Sequence, residues 1–391
     1  MSEQQLLVVA GEASGDRAAA SVIAALEGRG VGDAPPGGAF TSNTIGAFGL
    51  GGRALAAQGT ELVSDLRDST ALGIGDVAAR ACAIGQAYVS LLRAARRRKP
   101  RAALLVNYTE FNMRLAVRLH AQGIRVLWYG APQVWAWRSA RATHLRRHID
   151  RMAVMLPFEE PLWRDQGIDA HYVGHPACET LAFGRTEARE ALGLTPYARA
   201  VAILPGSRPH EVTRLLEPML DAYERVRSDR ASIDGRLLVA PSLDADTRAW
   251  ATEQATRRSV EVVEVDGRAG VAPCLPAFDA ALCASGTAAL EATLARAVPV
   301  VVYRVDLLTE LAARSLLKTR QIALPNVLLG KTTFPELLQN EAQAPKIAHA
   351  LARALDARNS LVRACDAVER ILGPERTPSH AVADMLRPWL A

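Results

Sequence analysis

The chain is built on short, continuous apolar runs, each closed by a glycine, serine or proline turn and followed by a stretch of helical periodicity. Leu6–Ala10, Ala102–Val106, Arg125–Tyr129, Ala200–Leu204, Arg236–Ala240, Ala280–Cys283 and Pro299–Tyr303 are such runs. Strands apolar on both faces that alternate with helices predict parallel sheets covered on both sides, the α/β class. Ligands of such sheets bind beyond the carboxyl ends of the strands, so chemistry is expected in the turns that follow these runs. The series restarts after Phe183–Pro196 with a glycine turn of its own, which predicts two similar domains with a boundary near Thr186. Gly30–Thr44 reads as a loop leading to a strand at Ile45–Phe48, and Pro378 is placed to open a short helix over Ser379–Leu390. Thr70–Leu92 is apolar and interrupted by Gly73, Gly75 and Gly85. Within it Ala78, Ala81, Ile84, Tyr88 and Leu92 fall at helical spacing and predict a buried stripe.

Composition narrows the class. Of 391 residues, 49% are hydrophobic and 22% charged, which excludes a disordered chain and leaves enough apolar material for two cores. Lys+Arg number 46 against 41 Asp+Glu, a net +5 too small to imply nucleic acid. The cations are nearly all arginine, with lysine only at Lys99, Lys318, Lys331 and Lys346, and arginine forks onto phosphate. An anionic ligand is therefore the expectation. Cys82, Cys178, Cys274, Cys283 and Cys365 are odd in number and scattered, which fits reduced thiols and a cytoplasmic setting better than a disulfide framework or zinc site. Met1–Gln5 carries no basic leader, and no apolar run reaches the roughly 18 residues of a membrane span.

Two turns in the second half have the form of phosphate sites. In Leu204-Pro205-Gly206-Ser207-Arg208, Gly206 lets backbone approach a ligand, Ser207 can cap the next helix and Arg208 can fork onto phosphate oxygens. A plain capped turn explains the same residues. In Ser285-Gly286-Thr287, helix-terminal N–H groups favour a diphosphate, and Glu291, about one turn further in, suits the hydroxyls of a ribose. A capping box is the competing reading, but the spacing from Thr287 to Glu291 is one residue too long for it.

The first half presents carboxylates. Glu12 and Asp16 in Gly11-Glu12-Ala13-Ser14-Gly15-Asp16 repel diphosphate and suit sugar hydroxyls, or else cap the helix. Glu110, in Asn107-Tyr108-Thr109-Glu110-Phe111-Asn112, stands at the same carboxyl edge, where a lone carboxylate can take a proton from a hydroxyl nucleophile. Trp135 and Trp137 beside Arg138 form an aromatic cluster suited to stacking on a sugar or lipid headgroup, or to core packing. His144 and His148 lie among Arg141, Arg146 and Arg147 on what reads as a solvated basic helix face, with contact to anionic lipid as the alternative. His175, in Gly174-His175-Pro176, is either a ligand contact or a satisfied structural histidine.

Taken together, Ala10 to Asp16, Pro132 to Arg138, Leu156-Pro157-Phe158-Glu159, Tyr172 to Pro176, Leu204 to Arg208, Ser285 to Glu291 and Leu324-Pro325-Asn326 resemble, in order, the lipid-A-disaccharide synthase family. The resemblance implies a GT-B glycosyltransferase, two Rossmann-like domains with parallel sheets facing across a cleft. Residues 1–185 would bind acceptor, 186–378 the UDP-sugar, and a helix at about 379–391 would pack back on the first domain. The implied reaction is inverting transfer of 2,3-diacylglucosamine from UDP to the 6-hydroxyl of 2,3-diacylglucosamine 1-phosphate (lipid X), giving a β-1,6 disaccharide and UDP, with no metal or other cofactor. Gly206, Ser207, Arg208, Ser285, Gly286, Thr287, Glu291 and Asn326 would hold UDP. Glu110 would be the base, with Asp16 in reserve and Arg208 at the leaving group. Glu12, Ser14, Asn112, Trp135, Arg138 and His175 would contact acceptor or lipid. Where the family usually reads Asp-x-Pro-Asp-Phe-Asn, this chain has Asn107 and Glu110: one acid is an amide and the other is longer by a methylene. The resemblance further implies a cytoplasmic enzyme held peripherally at the inner leaflet, with Thr70–Val77 as the docking candidate and a homodimer as one assembly. A UDP-sugar 2-epimerase on the same plan, and a UDP-binding relative without transfer activity, are the alternatives.

Overall fold

Apolar runs become strands in both halves of the computed structural model, which describes residues 5–30, 45–65, 77–132, 140–179, 184–230, 232–267, 270–304, 321–373 and 375–391. The first series is β1 (Gln5–Ala10), α1 (Ala13–Leu26), β2 (Gly46–Gly51), α2 (Arg53–Ala57), β3 (Glu61–Asp65), α3 (Val77–Arg98), β4 (Ala102–Val106), α4 (Thr109–His120), β5 (Arg125–Tyr129), α5 (Ala140–Arg146), β6 (Arg151–Val154), α6 (Glu159–Arg164) and β7 (Ala170–Tyr172). Its strands pair in parallel in the order β3-β2-β1-β4-β5-β6-β7. The second series is α7 (Arg185–Ala191), β8 (Arg199–Leu204), α8 (Pro209–Asp229), β9 (Ile233–Val239), α9 (Ala245–Arg257), β10 (Glu261–Glu264), β11 (Ala280–Ala284), α10 (Thr287–Leu294), β12 (Val298–Tyr303), α11 (Leu324–Leu329), β13 (Glu336–Leu338), α12 (Ala344–Asp356), α13 (Arg358–Leu372) and α14 (Pro378–Leu390). Its parallel order is β10-β9-β8-β11-β12-β13.

Period-2 alternation inside continuous apolar strands feeds two cores at once. Leu7 and Val9 of β1 pack with Leu91 and Leu115 on one face, while Leu6, Val8 and Ala10 pack with Val22, Ile23 and Leu386 on the other. The stripe of α3 differs from the sequence expectation. Ala87, Leu91, Ala94 and Ala95 are its buried residues, Ile84, Tyr88 and Leu92 flank them half-buried, and Ala81 is exposed. The helix runs on to Arg98, so its best apolar stripe is set by Leu91, Ala94 and Ala95 rather than by a pattern that stops at Leu92. Residues 70–76 lie outside the described residues.

The chain divides into two compact units, Met1–Glu179 with Glu375–Ala391, and Thr180–Pro374. The returning segment is stitched to the first unit where the chain leaves it. Glu179 accepts from the Ser379 N–H at 3.0 Å and from its hydroxyl at 2.8 Å. Pro378 occupies the first turn of α14, where a missing N–H matters least. Val382, Ala383, Leu386 and Leu390 then enter the core beside α1, and the Arg387 guanidinium donates to the Ala25 carbonyl at 2.8 Å.

Candidate functional site

Each sheet has one place where strand order reverses, between β1 and β4 in the first and between β8 and β11 in the second. The crevice beyond the carboxyl ends at such a reversal is where open α/β sheets bind ligands. The turns after these four strands are 11–16, 107–112, 205–208 and 285–287, the segments singled out from the sequence.

In the first unit the two turns touch. A Cβ built on Gly11 would stand 2.0 Å from Cγ of Tyr108, so only glycine leaves room for that ring. Tyr108 also stacks on Phe111, with centroids 5.0 Å apart and planes at 22°. Glu110 is exposed in the first turn of α4, where a carboxylate meets the positive end of the helix dipole. Glu12 is the exposed residue that precedes α1, and Ser14, half-buried, lies in that helix's first turn.

Three residues expected to contact ligands have other partners. Asp16 is 5% exposed and accepts from the backbone N–H groups of Gly52 at 2.7 Å, Ala54 at 2.9 Å and Leu55 at 3.3 Å. It caps α2, a helix more than thirty residues away, instead of standing open as a reserve base. Burial raises its pKa, against the lowering by those three N–H groups. Asn112 is fully buried, and its Nδ2 donates to the carbonyls of Asn107 at 2.9 Å and Val106 at 3.4 Å. It clamps the turn from beneath rather than meeting acceptor. His175 is 6% exposed, and its Nδ1 accepts from the Ala177 N–H at 3.1 Å, capping the short 3-10 helix Pro176–Cys178. Burial lowers its pKa to about 4, so the ring is neutral and its proton sits on Nε2. Trp135 and Arg138 lie outside the described residues. On α5 and the turn after it, Arg146 and Arg147 are exposed with His144 and His148 half-buried, a wet basic face.

In the second unit the two turns are not alike. Gly206, at φ 133°, adopts backbone that favours glycine, and a Cβ there would stand 2.5 Å from Oε2 of Glu211. That oxygen accepts from the N–H groups of Ser207 at 3.1 Å and Arg208 at 3.3 Å, while Oε1 pairs with the Arg208 guanidinium at 3.2 Å. Pro209 takes the first helical position, so Arg208 rather than Ser207 is the residue preceding α8. Ser207 therefore does not cap that helix. What this turn offers an incoming anion is the exposed Arg208 guanidinium, not the two N–H groups. The turn before α10 has Gly286 ahead of Thr287 and no acidic residue in the first helical turn. Ser285 and Thr287 are half-buried there, and Glu291 is buried one turn further on. An anion at this end of α10 meets no carboxylate in the first turn.

Asn326 is a correction. It is fully buried, its Nδ2 donates to the Phe334 carbonyl at 2.9 Å and to Oε1 of Glu336 at 2.7 Å, and its Oδ1 accepts from the N–H groups of Thr333 and Phe334 at 2.9 Å each. Every polar atom of the amide is engaged in tying α11 to β13, which leaves none for UDP. Sequence reasoning passed over three residues that the structure makes prominent. Tyr108 packs on Gly11, Glu211 fills the Ser207–Arg208 nest, and Ser242 after β9 donates its hydroxyl to the Ser207 carbonyl at 3.0 Å. The signal for Glu211 was available, since a Glu at the third helical position after Pro209 has capping-box spacing.

Comparison with known proteins adds a family and a fold. The family model described as lipid-A-disaccharide synthetase matches residues 6–383. The lipid-A-disaccharide synthase of Myxococcus xanthus (strain DK1622) is 42% identical over 339 residues, 86% of this chain and 84% of that one. Among solved structures, a putative UDP-N-acetylglucosamine 2-epimerase from Listeria monocytogenes superposes with a TM-score of 0.66 at 12% identity, covering 99% of this chain and 97% of that one. The spinosyn rhamnosyltransferase SpnG gives 0.56 at 15%, covering 98% and 99%.

Proposed function

The chain belongs to the lipid-A-disaccharide synthase family and is a glycosyltransferase of the GT-B plan, and from that premise we propose how its residues divide the reaction. The first unit takes the acceptor, 2,3-diacylglucosamine 1-phosphate, and the second takes UDP-2,3-diacylglucosamine. Glu110 removes the proton of the acceptor's 6-hydroxyl as that oxygen attacks the anomeric carbon. The bond from the anomeric carbon to the UDP oxygen breaks on the opposite face, giving the inverted β-1,6 linkage. Negative charge that develops on the leaving diphosphate is met by the Arg208 guanidinium and by the N–H groups at Gly286 and Thr287, donors fixed before the charge appears. Ser285 and Glu291 complete the nucleotide side through the ribose. Glu12 and Ser14 are the acceptor-side polar groups at the turn that Tyr108 joins to Glu110. Gly206, Asp16, Asn112, His175 and Asn326 shape these turns rather than touch substrate.

One observation carries this division: the candidate turns are those of the strands flanking the single order reversal in each sheet. The epimerase likeness is one of fold at 12% identity, whereas the family match covers residues 6–383. Purified protein given both acyl sugars is expected to release disaccharide and UDP. Removing a general base lowers rate by about 10²–10⁴, so Glu110→Gln is expected to lose that much of kcat. Equal turnover by Glu110→Gln would discard the base assignment, and turnover of unacylated UDP-N-acetylglucosamine without acceptor would favour the epimerase.

Peripheral attachment to the inner leaflet follows from substrates with acyl chains. Among the described residues no helix is long and apolar enough to cross a membrane. The feature that supports attachment is the exposed face of α3, with Ala81, Cys82, Gly85 and Val89 leading to Arg93, Arg96 and Arg97. Homodimer formation is checked by light scattering with and without vesicles.

A further inference from the structure

Asn107 and Tyr108 are consecutive non-glycine residues in left-handed backbone, at φ 48° and 46°. That conformation is uncommon for any side chain and more so for a bulky one, and it persists only where the surroundings over-determine it. Here they do. The Asn107 N–H donates to the Tyr129 carbonyl at 2.9 Å, and its own carbonyl accepts from Asn112 Nδ2 at 2.9 Å. Its Oδ1 fills the space above Gly130, where a Cβ would come within 2.1 Å. Tyr108 lies against Gly11 and stacks on Phe111, whose ring meets Tyr88 edge-on at 5.7 Å. Glu110 stands between Tyr108 and Phe111, so the two stacked rings fix the turn from which its side chain departs.

We propose that Tyr108 is a positioning residue: its ring, seated on Gly11 and Phe111, locks the left-handed turn and thereby aims Glu110 at the acceptor hydroxyl bound beside the Gly11–Asp16 turn. The proposal rests on the reading of Glu110 as the base. A displacement of about 1 Å at a reacting group can lower rate a hundredfold, so a ring that sets the direction of a carboxylate acts on kcat more than on KM. Asparagine accepts left-handed backbone but carries no ring.

The experiment measures kcat, KM and thermal midpoint for Tyr108→Asn, Tyr108→Phe, Gly11→Ala and Glu110→Gln, and for Tyr108→Asn combined with Glu110→Gln. Tyr108→Asn is expected to lose roughly tenfold or more in kcat with KM within about twofold, and Tyr108→Phe to recover most of it. Gly11→Ala, which displaces the ring from the other side, is expected to show the same split and stands in if Tyr108→Asn does not fold. In the Glu110→Gln background Tyr108→Asn is expected to add no further loss, because residues acting through one group are not additive. A wild-type kcat in Tyr108→Asn with Glu110→Gln inactive overturns the positioning role alone, as does an undiminished loss in the double variant. Full activity of Glu110→Gln overturns the base reading and this one with it.

Discussion

Glu211 holds the two N–H groups that a diphosphate would otherwise take at the turn before α8, so its charge governs how that turn receives an anion. Glutamine serves a capping box as well as glutamate does, so Glu211→Gln keeps the turn while removing a negative charge beside Arg208. UDP affinity by calorimetry is expected to rise by up to about 1 kcal/mol, roughly fivefold in Kd; a fall would make the carboxylate a ligand-positioning group. His175 gives a pH prediction with a definite sign. Its folded pKa of about 4 lies below the ordinary histidine value of about 6.5 because burial disfavours the cation. Above pH 6.5 both states are neutral and nothing is lost. As pH falls from about 6.5 toward 4 the unfolded chain binds the proton first, and stability drops by about 1.4 kcal/mol per unit. His175→Asn keeps an acceptor for the Ala177 N–H without the titration, so its thermal midpoint is expected to fall less between pH 7 and pH 5 than that of wild type. The residue types at these sites were legible in the sequence, but their partners were not. Asp16 and Asn326 looked like ligand groups because nothing near them in sequence shows Gly52–Leu55 or Thr333–Glu336 closing on them.

At the scale of elements, what could be read was whatever is apolar on both faces. β1, β4, β5, β8, β11 and β12 are continuous buried runs, and the sequence pattern finds them within a residue or two. The outer strands β3, β7, β10 and β13 were not found, because an edge strand is partly wet and carries residues such as Glu61, His171, Glu261 and Glu336. β6 was hidden by Arg151 at the end of a basic stretch. The carboxyl-edge turns were legible because glycine and proline punctuate them, while the left-handed pair Asn107–Tyr108 had no such mark and needed the backbone to show it. The exposed half of α3 leads to a prediction at this scale. Small and apolar residues with arginines one to two turns on can sit at a lipid surface, and an acidic residue among them would oppose anionic headgroups. Val89→Asp is expected to reduce co-sedimentation with anionic vesicles severalfold and leave UDP binding unchanged. Unaltered sedimentation would move the docking surface elsewhere.

At the scale of the whole molecule the first unit depends on a helix that is made last. The chain leaves at Glu179, builds the second unit, and returns at Glu375 so that α14 can cover α1. Leu386 is fully buried in that contact. Truncating a buried leucine to alanine costs about 2–5 kcal/mol, a large share of the 5–15 kcal/mol by which a domain is usually stable. A ligand that binds one folded unit stabilises that unit by RT ln(1 + [L]/Kd), about 2.7 kcal/mol at a hundredfold excess over Kd. Calorimetry therefore separates the units. UDP is expected to raise the transition of residues 180–374 and to leave the other unmoved. Leu386→Ala is expected to lower the other transition by roughly 5–15 °C at an unchanged UDP shift, and Arg208→Ala to shrink the UDP shift at an unchanged first-unit midpoint. A single transition that responds to both substitutions and to UDP would mean that the units unfold as one, and the nucleotide's effect would then be felt by the returning helix as well.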